Sequence, residues 1–285
     1  MLTKRTCKYC GHDFHVSELR CPHCERPCLY PNVEVADSKD EREALETRYQ
    51  DALLRAKSRG AEDKVKRFET LVESDSVAVI AMSFEQFEFI AKSDRDAKPN
   101  YYKLQGAGLR QADESKWGRY RDISESATFP YGKEDISFAA LSLGGVGVAS
   151  YGNCFVTLRD EFIAHRTSVF HENNVLWMLR LTVKEAADPP HGFRAPWGLR
   201  KRLAVAKHAD QIEAGSHEDR FPDVMVVQGK IPEDDVFVEV HVWGRITIRS
   251  VQAVHIRRFK NRPQMSRIKD LRAYLDRFDV SLEVG

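Results

Sequence analysis

The chain has 285 residues, enough for one or two domains. With 42% hydrophobic and 31% charged residues it reads as an ordinary globular protein with material for a sizeable core, and a net charge of +1 excludes a global pull on nucleic acid. No run of about 18 apolar residues occurs, which excludes a spanning helix; the N-terminus Met1-Leu-Thr-Lys-Arg-Thr-Cys7 lacks the apolar stretch of a secretory signal, so the expected location is the cytoplasm, with no membrane partner.

Residues 1–30 are read as a small zinc ribbon. Cys7, Cys10, Cys21 and Cys24 stand in two Cys-x-x-Cys pairs. In a reducing compartment this spacing means metal ligation rather than disulfides. Each pair forms a tight knuckle, and two knuckles complete a tetrahedral four-thiolate shell with no open position, as in structural zinc sites. Gly11 suits the knuckle turn. His12, His15 and His23 are expected at the surface, with one of them an alternative ligand. Cys28 reads as a spare thiol and Cys154 as a core residue.

Residues 31–37 read as a linker. From 38 to 74 the pattern predicts a helical hairpin, an interaction arm or spacer. Ser38 caps the first helix, Glu41 is placed for a capping box, and Gly60 ends it. Residues 75–285 then form the main domain. Strands are predicted at Val77–Met82, Ile136–Leu143, Cys154–Leu158, Asn174–Val183, Val224–Gln228, Val236–Val242, Ile246–Ile248 and Val251–Ile256, and helices at Phe84–Ala91, Arg159–Ala164, Trp197–His208 and Ser266–Phe278. Residues 93–135 are polar and aromatic without a clear period. Many strands with few long helices indicate an α+β fold. Charge is uneven: Arg194, Arg200, Lys201, Arg202 and Lys207 occur with no acid between 194 and 208. A positive face there would attract phosphates; scattered solvated charge is the alternative.

There is no Walker A, His-Glu-x-x-His or Gly-x-Ser-x-Gly motif, and Gly106-Ala-Gly108 lacks a third glycine in register. The stretch from about Arg119 to Ile256 resembles the ADP-ribosyltransferase domains of bacterial and phage-associated toxins. The likeness is carried by three segments: Arg121-Asp-Ile-Ser-Glu125 ahead of Ile136–Leu141; Tyr151-Gly-Asn-Cys-Phe-Val-Thr-Leu158 with His165–Asn174; and Val238-Glu239-Val-His-Val-Trp-Gly244 with Val251–Ile256. The Gln or Glu that such domains carry two residues from the catalytic Glu is absent, the pattern here being Glu239-Val-His241.

The resemblance implies a split β-sheet domain that uses NAD as co-substrate. Glu239 would be the catalytic carboxylate, and His241, on the same strand face, a second catalytic residue that would activate or position the acceptor nucleophile. Arg121 and Arg166 are the candidates for gripping the NAD diphosphate. Thr167 and Ser168 would brace the cleft, Tyr151 would stack on nicotinamide, and His171 and Glu172 would orient the acceptor. An ordinary solvent-facing strand Glu is the alternative for Glu239. The implied partners are a macromolecular acceptor, with RNA or another nucleic acid favoured over protein, and an antitoxin. A non-catalytic zinc-ribbon adaptor that binds nucleic acid or protein is the competing function.

Overall fold

The structure, a computed structural model, describes residues 4–98, 100–106, 116–129, 131–180, 188–257 and 262–285. It is a mixed α+β fold. Lys4–Thr6 pairs with Asp13–His15 in a short hairpin of the cysteine module, where Phe14 is buried with Cys7 and Cys21. Arg5 stacks on Phe14 at 4.9 Å and bonds Glu34 at 2.9 Å and the Glu18 carbonyl at 2.6 Å.

Residues 31–37, expected as a linker, instead include a helix, Pro31–Ala36, with Pro31 at its first turn. Asn32 is buried and donates to the Arg166 and His241 carbonyls and to Ser168 Oγ, at 3.0–3.2 Å. Val16 of the cysteine module packs with Phe129, Ile136 and Trp243. The module is therefore seated on the main sheet.

Helices Lys39–Ser58 and Glu62–Asp75 follow. Ser38 Oγ accepts the Glu41 amide, and Gly60, at φ 68°, ends the first helix in the left-handed region. The predicted capping box is not completed. The buried Glu41 carboxylate instead accepts the Gly192 amide at 2.6 Å. Nor is the hairpin a spacer: Leu45, Ala52, Ala56, Val65, Phe68 and Val72 share one core with the sheet. The helix Arg200–His208 packs against both. Its cations are engaged within the fold: Arg200 bonds Ser76 and the Glu73 carbonyl, Lys201 pairs with Glu73, and Arg202 with Glu46. Lys207 donates to the His171 and Phe237 carbonyls, at 2.6 and 3.0 Å.

Eight strands form one mixed sheet in the order Ser281–Val284, Val251–Ile256, Cys154–Leu158, Val77–Met82, Ile136–Ser142, Glu239–Trp243, Thr167–Phe170, Arg194–Pro196. Among the described residues only the pairing of Val251–Ile256 with Ser281–Val284 is parallel. The hydrogen-bond ladder is thus continuous, not split into two sheets as expected. Glu239–Trp243 lies between Ile136–Ser142 and Thr167–Phe170, with Glu239 opposite Ala140 and Phe170. Because strand side chains alternate, Val240 and Val242 enter the large core, while Glu239, His241 and Trp243 face the other side. Helices Lys116–Thr128 and Asn174–Arg180 lie against each other there.

Four further expectations change. The irregular region 93–135 contains helices Tyr101–Gly106 and Lys116–Thr128. Asn174–Arg180 is a helix, not a strand, and 181–183 lie outside the described residues. Phe221–Met225 is helical and leads into a two-residue strand, Val226–Val227, paired with Val236–Phe237. Ile246–Ile248 is not a strand; a 3-10 turn, Ile248–Ser250, precedes Val251.

Candidate active site

The four cysteines converge as their spacing requires. Their sulfur atoms all lie within 4.8 Å of one another. Cys7 and Cys24 Sγ are 3.7 Å apart, and Cys10 and Cys21 Sγ 3.6 Å. A tetrahedral ion with metal–sulfur bonds of about 2.3 Å sets sulfurs about 3.8 Å apart, far from a disulfide bond of about 2.05 Å. The donor set therefore fits a metal ion such as zinc. Gly11 takes φ 73° at the first knuckle. The three histidines are not in the cluster: His12 and His23 stack on each other at 5.2 Å, and His15 bonds Ser17. Cys28 is likewise outside it.

A cleft of about 250 Å³ opens over the Glu239 face of the sheet. Its lining includes Glu239, Arg121, Tyr151, Asn173, Glu125 and Tyr102. Glu239 is 3% exposed and stands on a central strand. Burying a carboxylate is costly unless donors replace its water, and three do. Asn173 Nδ2 reaches Oε1 at 2.9 Å; the Asn174 amide reaches Oε2 at 3.1 Å, and His241 Nε2 the same oxygen at 2.9 Å. The solvent-facing alternative for Glu239 is excluded by this burial.

The asparagine pair has a local cause. Asn173 caps the helix Asn174–Arg180, its Oδ1 accepting the Val175 and Leu176 amides at 3.0 and 2.9 Å. The same side chain's Nδ2 is thereby aimed at Glu239, and it also reaches the Tyr151 hydroxyl at 3.4 Å. Tyr151 is held by Gly152, whose φ of 152° and close approach to the Met82 backbone leave no room for a Cβ.

His241 is placed differently from its expected role. It is 2% exposed and not among the cleft-lining residues. Its ring is enclosed by Phe129, Phe138 and Phe170, at centroid distances of 4.6, 5.5 and 6.1 Å. It can hold Glu239 but cannot touch an acceptor. Arg166 is also outside the cleft, its guanidinium bonding the Phe162 and Trp243 carbonyls. Thr167 and Ser168 are buried in the neighbouring strand, bonded to the Ile163 carbonyl and to Asn32; they support the sheet from within. His171 accepts from Arg48, and Glu172 pairs with Arg180 at 2.7 Å; neither lines the cleft.

Of the residues singled out in the sequence, the cleft thus gathers Glu239, Arg121 and Tyr151. It adds Asn173, Glu125 and Tyr102. Arg121 sits over the Tyr101 ring at 4.7 Å and 3.6 Å from Glu125 Oε1. The signal for Asn173 lay in the Asn-Asn pair ahead of an apolar run, which is a helix-start pattern. Glu125 lay in the first resembling segment, but nothing in its spacing marked it as buried.

Burial pushes the Glu125 carboxyl up to about 8, with the Glu239 charge adding to the effect and Arg121, Tyr102 and Lys133 opposing it. Two carboxyls in one cleft therefore have contrasting surroundings: Glu239 has three donors, Glu125 has few. No helix among the described residues is long and apolar enough to cross a membrane. No family model, curated protein or solved structure matches this chain.

Proposed function

We propose that this protein is an NAD-dependent mono-ADP-ribosyltransferase of the toxin-like kind, with zinc held structurally by Cys7, Cys10, Cys21 and Cys24. The observation that carries the reading is the Glu239 carboxylate, fixed by three donors in a cleft with Arg121 and Tyr151. The likeness of the three segments to such domains supports it.

In this reading the bond between C1′ of the ribose and the nicotinamide nitrogen breaks, and its electron pair leaves with the ring. Nicotinamide is already cationic in NAD, so no general acid is needed. Positive charge grows on the ribose, and Glu239 stabilises it by accepting a hydrogen bond from the 2′-hydroxyl, as carboxylates do in glycoside cleavage. The acceptor's oxygen or nitrogen then bonds C1′ and gives up its proton to water, so that neutral nicotinamide and one proton leave. Tyr151 covers the nicotinamide ring and Arg121 binds a phosphate at the mouth. At about 250 Å³ the cleft lies just below the usual ligand range of about 300–1,000 Å³, so it takes the nicotinamide ribose half while the adenylate half lies across the opening.

The acceptor we favour is nucleic acid, RNA first. The basic helix 200–208 does not argue for this, since its cations are engaged by acids, hydroxyls and carbonyls of the fold. The cysteine module does. Tyr9 is exposed, with Lys8 and Arg26 over its ring at 5.2 and 5.0 Å, and aromatic rings beside cations suit bases and phosphates. The toxin-like setting, with an antitoxin as partner, rests on the resemblance.

Labelled NAD incubated with the protein and cell extract tests the reading. RNase-sensitive label, absent with Glu239→Ala, is expected. Label removed by protease alone would transfer the acceptor role to protein, and an unlabelled extract would leave the zinc-ribbon adaptor as the function.

A further inference from the structure

Glu125 stands on the helix Lys116–Thr128 and lines the same cleft as Glu239. Its side chain is 4% exposed. Oε1 lies 3.6 Å from the Arg121 guanidinium, beyond a hydrogen bond, and Oε2 is buried with no hydrogen-bond partner. The Tyr102 hydroxyl lies beside this carboxyl, within weak reach of it but in no well-formed hydrogen bond, and is a second buried polar atom lining the cleft. Folded proteins leave few such atoms unpaired. Two side by side in a ligand cleft mark a polar group that arrives with the ligand.

The chemistry of the pair selects that group. The charged groups around the Glu125 carboxyl are Arg121 on its own helix, Lys133 before the strand Ile136–Ser142, and Glu239 on its strand, with Tyr102 beside it. Burial and the Glu239 charge prevail, so the carboxyl keeps its proton at neutral pH, with an apparent value of about 8. A neutral carboxyl offers one O–H donor and one carbonyl acceptor. A primary carboxamide offers the complement, a carbonyl acceptor and an N–H donor, and the two close a paired hydrogen-bonded ring. The Tyr102 hydroxyl supplies a further donor to the carboxamide oxygen.

We infer that Glu125 and Tyr102 form a substrate-contacting pair that binds the primary carboxamide of nicotinamide and so selects NAD over its nicotinate analogue. The inference rests on the NAD reading of the cleft. A nicotinate carboxylate has no N–H to give, leaves an oxygen of Glu125 unpaired, and adds a negative charge near Glu239.

Calorimetric titration of the full chain with NAD, nicotinamide and nicotinate tests this, using wild type, Glu125→Gln, Glu125→Leu and Tyr102→Phe. Wild type is expected to bind nicotinamide about tenfold or more tightly than nicotinate, the worth of one to two hydrogen bonds. Glu125→Gln, whose amide also donates and accepts, keeps NAD binding within about threefold; Glu125→Leu loses about tenfold or more, and Tyr102→Phe loses less. Equal binding of nicotinamide and nicotinate by wild type overturns the inference, a readout that needs no variant to fold. So does NAD binding by Glu125→Leu at wild-type strength, which leaves the NAD reading intact. Wild type that binds nicotinamide but not NAD supports the carboxamide pair and sinks the NAD reading, and wild type that binds neither overturns both.

Discussion

Replacing Glu125 by glutamine should change how stability depends on pH. The folded chain holds the Glu125 proton up to about 8, whereas the unfolded chain releases it near 4.5. Between those values the unfolded state loses a proton that the folded state retains. The stability contributed by this carboxyl therefore falls as pH rises from about 4.5 to about 8 and is constant on either side. Each pH unit is worth about 1.4 kcal/mol, so 3.5 units, from 8 minus 4.5, set a ceiling of about 5 kcal/mol. Glutamine keeps the shape and has no proton to lose. Urea unfolding of both proteins at pH 5, 7 and 9 is the assay. The advantage of Glu125→Gln over wild type should grow from pH 5 to pH 9 and reach several kcal/mol; a difference that stays flat over that range would refute a proton held at Glu125.

Three further outcomes follow from the geometry. His241→Phe fits its aromatic cage but removes a donor from Glu239, so kcat for nicotinamide release should drop about 10- to 100-fold with KM for NAD nearly unchanged; a changed KM with normal kcat would contradict the positioning role. Arg121→Ala should raise KM for NAD about tenfold, whereas Arg166→Ala should leave KM alone and cost about 1–3 kcal/mol of stability by freeing two carbonyls, which urea unfolding and steady-state kinetics together would separate. Stripping the metal with a strong chelator should unfold the cysteine module, since metal binding is part of its folding free energy. Val16 would then leave Trp243, seen as a shift in tryptophan fluorescence, and an unchanged spectrum would count against the docked module.

Much of this architecture is written locally. Val77–Met82, Cys154–Leu158 and Val251–Ile256 are short apolar runs rich in β-branched residues between turn signals, and all three are strands. The four-thiolate site was legible because ligand spacing alone determines it. Asn174–Arg180 misled because Val-Leu-Trp-Met-Leu reads equally as a buried strand or a buried helix; the Asn173 cap decides it, and its effect is visible only with the helix in place. Arg166 and Thr167 are cleft residues only by resemblance; that the one bonds the Phe162 and Trp243 carbonyls and the other the Ile163 carbonyl is set by the tertiary fold. The basic run 194–208 looked like a phosphate surface because its acids, Glu41, Glu46 and Glu73, come from a hairpin more than 100 residues earlier. Glu239 is singled out only by resemblance, whereas its burial and its donors are tertiary facts.

The most direct measurement is nicotinamide release from NAD by the purified protein in the presence of the proposed RNA acceptor, comparing wild type with Glu239→Gln. Glutamine keeps the shape of the side chain and removes the negative charge that would face the ribose. Release slowed by about 100-fold or more, with the metal site and fold intact, is the result predicted for a carboxylate that stabilises the breaking bond. Equal rates in the two proteins would contradict it.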